Sequence, residues 1–366
     1  MMTPDLPLEL KIALARLWEL LTTVVSRQQE QTPGPPPGGV LSGGMAVTAQ
    51  DVLSRAPVIP DVDHESGEVE SRLSQLERAF GLTELEAMCL LLALAPEYEP
   101  GFCRLYGMAQ NHFGRQHATL SLLLDLLPLQ RAAVRRLLDP NGPLIRWSLI
   151  EVDDPAPGTP RAHVAFRAAT PVLRFLEGAD VLDSALAPFV TPLHSARRCK
   201  RKLIGGGTAF EDLARELLFD ERPGLLFKGA PGSGKTRWAA ELLLAIDRQG
   251  LLIDLDRIVA EDAPAELLHQ ALVEATMTQC VPVIRCNQDV PWIRSSLRCW
   301  DDLIIVLSSA DINTAPLEEG RNRRIVEIPE LDTPTRARIW DRFLPERLRT
   351  ADLSPSALAA RYTLSP

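Results

Sequence analysis

The sequence predicts an α/β fold: a three-layer parallel sheet, preceded by a mainly helical domain and an N-terminal amphipathic helix. Three observations carry this. From about residue 205 the chain alternates helical segments with short apolar runs, the pattern of strands joined by crossover helices. Gly229-Ala230-Pro231-Gly232-Ser233-Gly234-Lys235-Thr236 matches G-x-x-x-x-G-K-[ST] and stands between one such run and one such helix. Ahead of it lie several helical segments followed by a hairpin pattern.

In order along the chain, residues 1–31 are an amphipathic helix, with Leu6, Leu10, Ile12, Leu14, Leu17, Leu20, Leu21 and Val24 near helical spacing. Residues 32–48 are a linker, because the prolines and glycines of TPGPPPGGVLSGG support neither helix nor sheet. The first helix is therefore expected to be an appendage for docking or oligomerisation.

Residues 49–193 read as one domain. LSQLERAFGLTELEAMCLLLALAPEYE gives two helices broken near Gly81, and Thr83 with Glu86 forms a capping-box pattern at the second. FCRLYGMAQNHF, TLSLLLDLL and LQRAAVRRLL give three more. Ile145, Trp147 and Leu149 then alternate with Arg146 and Ser148, which predicts a strand, and AHVAFRA predicts a second before the helix TPVLRFLEG. Helices followed by a hairpin describe a winged-helix-like domain. Such domains often place a helix in the DNA major groove, and Arg131, Arg135 and Arg136 stand on the last helix before the hairpin. The strand flanks are acidic at Glu151, Asp153 and Asp154, so protein contact is the expected use and nucleic acid is not an expected partner.

Residues 194–207 are a basic, Gly-rich linker. Its RRCKRK run, Arg197 to Lys202, reads either as a solvated linker or as a contact for nucleic acid or an acidic partner. Residues 208–332 form the nucleotide-binding α/β domain. Its strands are GLLFKG, LLIDLD, VPVIRC, LIIVLSS and RIVEIPEL. Between and before them come the helices AFEDLARELLF, TRWAAELLLAIDRQ, APAELLHQALVEATMTQ and DVPWIRSSLR. Residues 333–366 add two helices, a partial lid.

Composition narrows the class. The 366 residues are 46% apolar and 24% charged, ordinary for a soluble protein. No apolar run approaches the ~20 residues that span a bilayer, and the N-terminus lacks the basic start of a secretory signal. A cytoplasmic location is expected. Six cysteines form no C-x-x-C pair and six histidines are dispersed with no H-x3-H or H-E-x-x-H spacing, so no metal site is expected in the protein itself. A net charge of −9 gives the whole chain no attraction for nucleic acid.

The glycines of the loop let backbone N–H groups wrap phosphates, and the helix that follows adds favourable partial charge at its N-terminus. Lys235 is expected to reach the β- and γ-phosphates and the Thr236 hydroxyl to ligate Mg²⁺, with Arg237 adjoining. ATP and Mg²⁺ are the expected cofactors. Hydrolysis needs a further strand ending in carboxylates, to hold the metal and activate water. Asp254 and Asp256 end the first strand after the loop helix, whereas the metal-binding strand of such sheets is usually the next. That strand, Val281 to Ile284, ends in Arg285 and Cys286, neither of which can serve. The hydrolytic carboxylates therefore read as lost, with Asp289 and the pair Asp254/Asp256 as alternatives. Ser308 and Ser309 close the fourth strand, where a polar residue either meets the γ-phosphate or caps the strand.

The segment order resembles AAA+ ATPases. GRNRRIVEIPELDTPTRARIWDRFL, residues 320–344, is similar to the AAA+ stretch in which G-R-x-x-R precedes a strand, a proline and a helix with an internal arginine. The resemblance implies that Arg321 and Arg324 are arginine fingers reaching a neighbouring subunit's γ-phosphate, and hence an oligomer. FGLTELEAMCLLLALAPEYEPGFCRLYGMAQ and LLDPNGPLIRWSLIEV together resemble the winged-helix region of AAA+ ATPases encoded with extracellular contractile injection systems, which are phage-tail-like particles. This implies injection-particle or effector components as protein partners, in a homo- or hetero-oligomer. The chain ends where a helical lid with its nucleotide-sensing arginine should continue, and members of that group usually carry a second ATPase module. Whether this chain hydrolyses ATP by itself stays open.

Overall fold

The computed structural model describes residues 7–31, 71–127, 131–178, 182–193, 207–219, 224–297, 300, 302–309, 323–328, 330–349 and 353–362. The chain divides into two units, Met1–Val181 and Leu182–Pro366.

The first unit contains α1 (Leu8–Gln31), α2 (Arg72–Ala79), α3 (Glu84–Tyr98), α4 (Gly101–Ala109), β1 (Ala118–Thr119), α5 (Leu120–Leu126), α6 (Arg131–Val134), α7 (Pro143–Arg146), β2 (Ile150–Val152), β3 (Ala165–Ala168) and α8 (Thr170–Leu176). Gly81, at φ +60°, turns the chain between α2 and α3. Thr83 then starts α3 as a capping box: its N–H donates to Glu86 Oε2 at 2.8 Å, and its Oγ1 accepts from the Glu86 N–H at 3.4 Å. Seven consecutive residues of α3, Cys89 to Ala95, are buried, so this helix is the centre of the unit rather than a one-sided surface helix. The strands form an antiparallel sheet of order β1-β3-β2.

Two expectations change here. The predicted strand through Ile145, Trp147 and Leu149 is instead a helical turn: Pro143 opens α7, where its fixed φ suits the first helical position. Leu144 and Trp147, three apart, are both buried. Ser148 takes a left-handed φ of +50°, and the chain enters β2 only at Ile150. The alternation of apolar residues had the wrong period read into it. The N-terminal helix also differs from an appendage. Leu10, Leu14, Leu17, Trp18, Leu21 and Val25 are buried, and Trp18 meets Phe102 of α4 edge-on with centroids 5.0 Å apart. The linker expected at 32–48 lies outside the described residues.

The second unit holds β4 (Val190–Leu193), α9 (Gly207–Phe219), β5 (Gly224–Lys228), α10 (Lys235–Ala245), β6 (Gly250–Asp254), α11 (Leu255–Ile258), α12 (Pro264–Met277), β7 (Val281–Cys286), α13 (Ile293–Leu297), β8 (Ile304–Ser308), β9 (Arg323–Glu327), α14 (Thr333–Phe343) and α15 (Pro355–Arg361). Six strands form one sheet of order β4-β6-β7-β8-β5-β9. Five are parallel, but β4 pairs antiparallel with β6, so the sheet is mixed rather than parallel. The segment 190–193, expected at the end of the preceding domain, runs in without a crossover helix and takes an edge, where its Pro192 is tolerated. The sheet is buried on both faces. Leu225, Phe227, Val283, Ile305 and Leu307 pack with Leu213 of α9 and Trp238, Ala239 and Leu242 of α10. Leu226, Ile284 and Val306, buried at alternate positions, point to the other face. The RRCKRK run falls outside the described residues.

Candidate functional site

The loop 229–234 leaves the carboxyl end of β5 and turns into α10. Gly232 and Gly234 have φ of +79° and +87°, the left-handed region that glycine adopts without strain. Gly229 is needed for a close approach: a Cβ there would lie 2.7 Å from Ser233 Oγ and 2.9 Å from the Ile328 carbonyl oxygen. The Ser233 N–H donates to the Ala230 carbonyl at 3.0 Å, closing the turn that holds Pro231 at its exposed tip. Ser233 Oγ is buried without a hydrogen-bond partner.

Lys235, the first residue of α10, is 9% exposed, and its Nζ donates to the carbonyls of Gly229 at 2.7 Å and Ala230 at 2.8 Å. The ammonium is thus held at the concave side of the loop. Burial lowers its pKa from the usual lysine value, since desolvation disfavours the charged form. Thr236 is half-buried one residue further on, and Arg237 is paired with Glu241 one turn along at 2.5 Å. An ammonium, a tight glycine turn and the free N–H groups of an eleven-residue helix are the donor set a polyphosphate needs. These residues fit that group. Among the described residues no cluster of three His, Cys, Asp or Glu side chains is placed to hold a metal ion, so a cation here would need the ligand's own oxygens.

The sheet register fixes what else stands at this edge. Cys286, Ser308, Lys228 and Glu327 form one row across β7, β8, β5 and β9. Ser308 is fully buried; its Oγ donates to the Ser309 carbonyl at 2.9 Å, and its carbonyl accepts from the Gly229 N–H at 3.3 Å. The polar end of β8 is therefore bonded to the first glycine of the loop.

The carboxylates are elsewhere. Asp254 ends β6, three inter-strand spacings from β5, or roughly 14 Å. Its Oδ2 is 3.1 Å from Arg285 Nη1. Asp256 accepts from the Asn287 N–H at 2.8 Å and from Asn287 Nδ2 at 2.7 Å, pinning the chain just beyond β7. The pair Asp254/Asp256 is thus spent on holding β7 to β6. Asp289 is exposed past this pinned turn, close enough to raise the Cys286 thiol. Burial is the largest cause, Asp256 and then Asp289 add to it, and the thiol is pushed up to about 11. Arg324 sits near the start of β9, in register with Leu225 and so at the opposite end of the sheet from the loop; its guanidinium pairs with Glu216 of α9. Arg321 lies outside the described residues. Asn287 and Glu216 were not singled out by sequence, because a pairing partner from a distant element leaves no local pattern.

In the hairpin unit, Arg131, Arg135 and Arg136 are exposed on and after α6. On the sheet of the same unit, Arg167 of β3 is tied to Glu151 at 2.8 Å and Asp153 at 3.7 Å.

Residues 61–190 match a protein family described as "Winged helix domain, variant". No curated protein matches the chain. No helix among the described residues is long and apolar enough to cross a membrane.

Proposed function

We propose that this chain is an AAA+-type ATP-binding protein that assists assembly or cargo loading of a phage-tail-like contractile injection particle. The observation that carries the nucleotide reading is the loop between β5 and α10, with buried Lys235 turned onto its concave side and Gly229 packed too closely for any side chain. The strand order supports the AAA+ assignment: β8, with Ser308 at its end, is inserted between the loop strand and β7. In this reading Gly229 to Thr236 hold the triphosphate and Thr236 contributes to Mg²⁺, which when bound would neutralise phosphate charge. Ser308, whose carbonyl is bonded to the first glycine of the loop, is the residue this reading assigns to the γ-phosphate. Arg324 faces away from its own loop, which suits a role in trans at a subunit contact, with Arg321 beside it in sequence. The chain then works as a cytoplasmic homo- or hetero-oligomer. The injection-particle role rests on the resemblance of the two winged-helix stretches alone.

Hydrolysis is assigned no carboxylate in this reading, which leaves a nucleotide-gated scaffold as the form in which the chain works by itself. Isothermal titration of Mg²⁺·ATP into the whole chain tests binding, and steady-state phosphate release separates an active enzyme from the scaffold. Absence of binding would reduce the loop to a structural turn. A second reading, DNA binding, draws on the winged-helix match and the exposed Arg131, Arg135 and Arg136. Salt-dependent binding to duplex DNA, steep in log–log form, is its test.

A further inference from the structure

The chain between α4 and β1 is a surface loop held in one shape. The His112 N–H donates to the Gly107 carbonyl at 2.8 Å, and the Arg115 N–H donates to the His112 carbonyl at 2.8 Å. Gln110 Nε2 donates to the carbonyls of Arg115 and His117, both at 3.2 Å, while its Oε1 accepts from Thr119 Oγ1 at 2.7 Å. The loop lies so close on α4 that a Cβ at Gly107 would stand 3.3 Å from the Phe113 Cα. Phe113 nevertheless stays 45% exposed, between the exposed His112 and Gly114. The loop thus presents an aromatic ring to water in a fixed position, and a flat partner would lose little ordering entropy on stacking against it.

Cations stand beside this ring. Arg115 Nη1 is 3.1 Å from Nδ1 of His163, in the turn Arg161–His163 ahead of β3. A guanidinium has donors only, so Nδ1 accepts and the bond leaves the Arg115 charge unneutralised. Arg161, in the same turn, is exposed. The turn packs on α5, where burial raises the pKa of Asp125 while Arg131 and His163 lower it. The wing-side turn and the start of α6 therefore share one neighbourhood, with Asp125 as a carboxylate within it. Among the described residues, the ion pairs involve none of Arg115, Arg131 and Arg161.

We propose that the loop 111–117, with Arg115, Arg161 and Arg131, binds single-stranded nucleic acid. A base stacks on Phe113, and the guanidinium forks meet the phosphates of the flanking nucleotides. Two observations favour a single strand over a duplex. Paired bases are stacked on one another and offer no face to an exposed ring. The helices α6 and α7 have four residues each, too short to lie along a major groove. An acidic protein segment would satisfy the arginines but gives Phe113 no flat partner. The inference does not depend on the loop 229–234.

Anisotropy of a fluorescent oligothymidylate of about 20 nucleotides, long enough to cover one strand-binding site, tests it with the full chain. Phe113→Leu should weaken binding by about fivefold or more, the lower end for losing one stacked base, and Phe113→Tyr should retain it. Arg131→Ala with Arg161→Ala should make the log–log salt dependence shallower by about 1.4, from two lost phosphate contacts at ~0.7 each. Lys235→Ala should bind the strand as the parent does. Tighter binding of an oligouridylate would identify the strand as RNA and supports the inference equally. Because a variant can fail to fold, the parent chain is also photocrosslinked to a strand carrying iodouracil, and the adducts should map to the tryptic peptide Leu105–Arg115. Adducts confined to other peptides overturn the inference. So does a parent that does not bind, a Phe113→Leu variant that binds equally well, a duplex of the same length bound at least as tightly, or full displacement of the strand by polyglutamate at equal charge.

Discussion

Arg285 Nη1 and Asp254 Oδ2 lie 3.1 Å apart across the matched ends of β7 and β6. The guanidinium of β7 thus neutralises the carboxylate that ends β6; under the proposed nucleotide reading, neither residue is left as a base. The pair is partly open, with side-chain exposures of 38% and 20%, and solvent screens such pairs. Replacing Arg285 with Ala should therefore cost about 0.5–1 kcal/mol in urea unfolding. A loss beyond about 3 kcal/mol would mean that the pair holds the sheet edge as a buried ion pair does.

Lys235→Ala should weaken Mg²⁺·ATP binding by at least tenfold, since charged hydrogen bonds are worth roughly 1.5–3 kcal/mol. Titration calorimetry reads this, and equal affinities would mean that the loop holds no phosphate. The affinity should also depend on pH. Burial lowers the Lys235 pKa, so the ammonium is lost at a lower pH than from a free lysine. Binding of the anion favours the charged form. Affinity should therefore be highest toward neutral pH and fall as pH rises through the depressed pKa, before free lysines titrate. The Lys235→Ala variant should show no such fall.

Trp18→Ala should destabilise the first unit by roughly 3–5 kcal/mol, the range for removing a buried large aromatic side chain. The loop 229–234, to which the proposed function assigns ATP, belongs to the second unit, so any ATP affinity at 25 °C should stay within about twofold. Thermal unfolding followed with calorimetric titration checks both. A parallel loss of nucleotide binding would show that the units fold as one.

The loop, the capping box at Thr83 and the order of helices and parallel strands were legible because each is a local pattern with a local cause. The role of α1 was not. Its buried face was visible as Leu10, Leu14, Leu17 and Leu21, but an amphipathic helix does not say which groove it covers, and the prolines after it suggested separation. The segment 143–149 was misread because Ile145, Trp147 and Leu149 alternate as a strand does while Leu144 and Trp147 have the spacing of a helical turn, and Pro143 decides between them. The pairings Arg285–Asp254 and Asn287–Asp256 join residues about 31 apart. They follow from β6 lying beside β7, a neighbour relation that no local pattern encodes.

The chain by itself should bind ATP and release phosphate very slowly. In the proposed reading Lys235 and Thr236 would supply the phosphate and metal contacts, yet the residue of β7 level with Ser308 is Cys286. Burial, with Asp256 and Asp289 nearby, pushes its thiol up to about 11. At pH 8 it is protonated, so it is a poor base toward water, and it should resist iodoacetamide in the folded protein. Asp254 cannot substitute, being about 14 Å from the loop strand by strand count and paired with Arg285. Restoring a carboxylate at Cys286→Glu alone is the informative variant. Adding Arg285→Asp would set a second carboxylate opposite Asp254 and confuse activity with lost stability. Expected is a parent near background in continuous phosphate release, with turnover raised at least tenfold in Cys286→Glu. A parent turning over at about 1 per second or faster, within the ordinary enzyme range, would place the base elsewhere, and Asp289→Asn would then be the next substitution to measure.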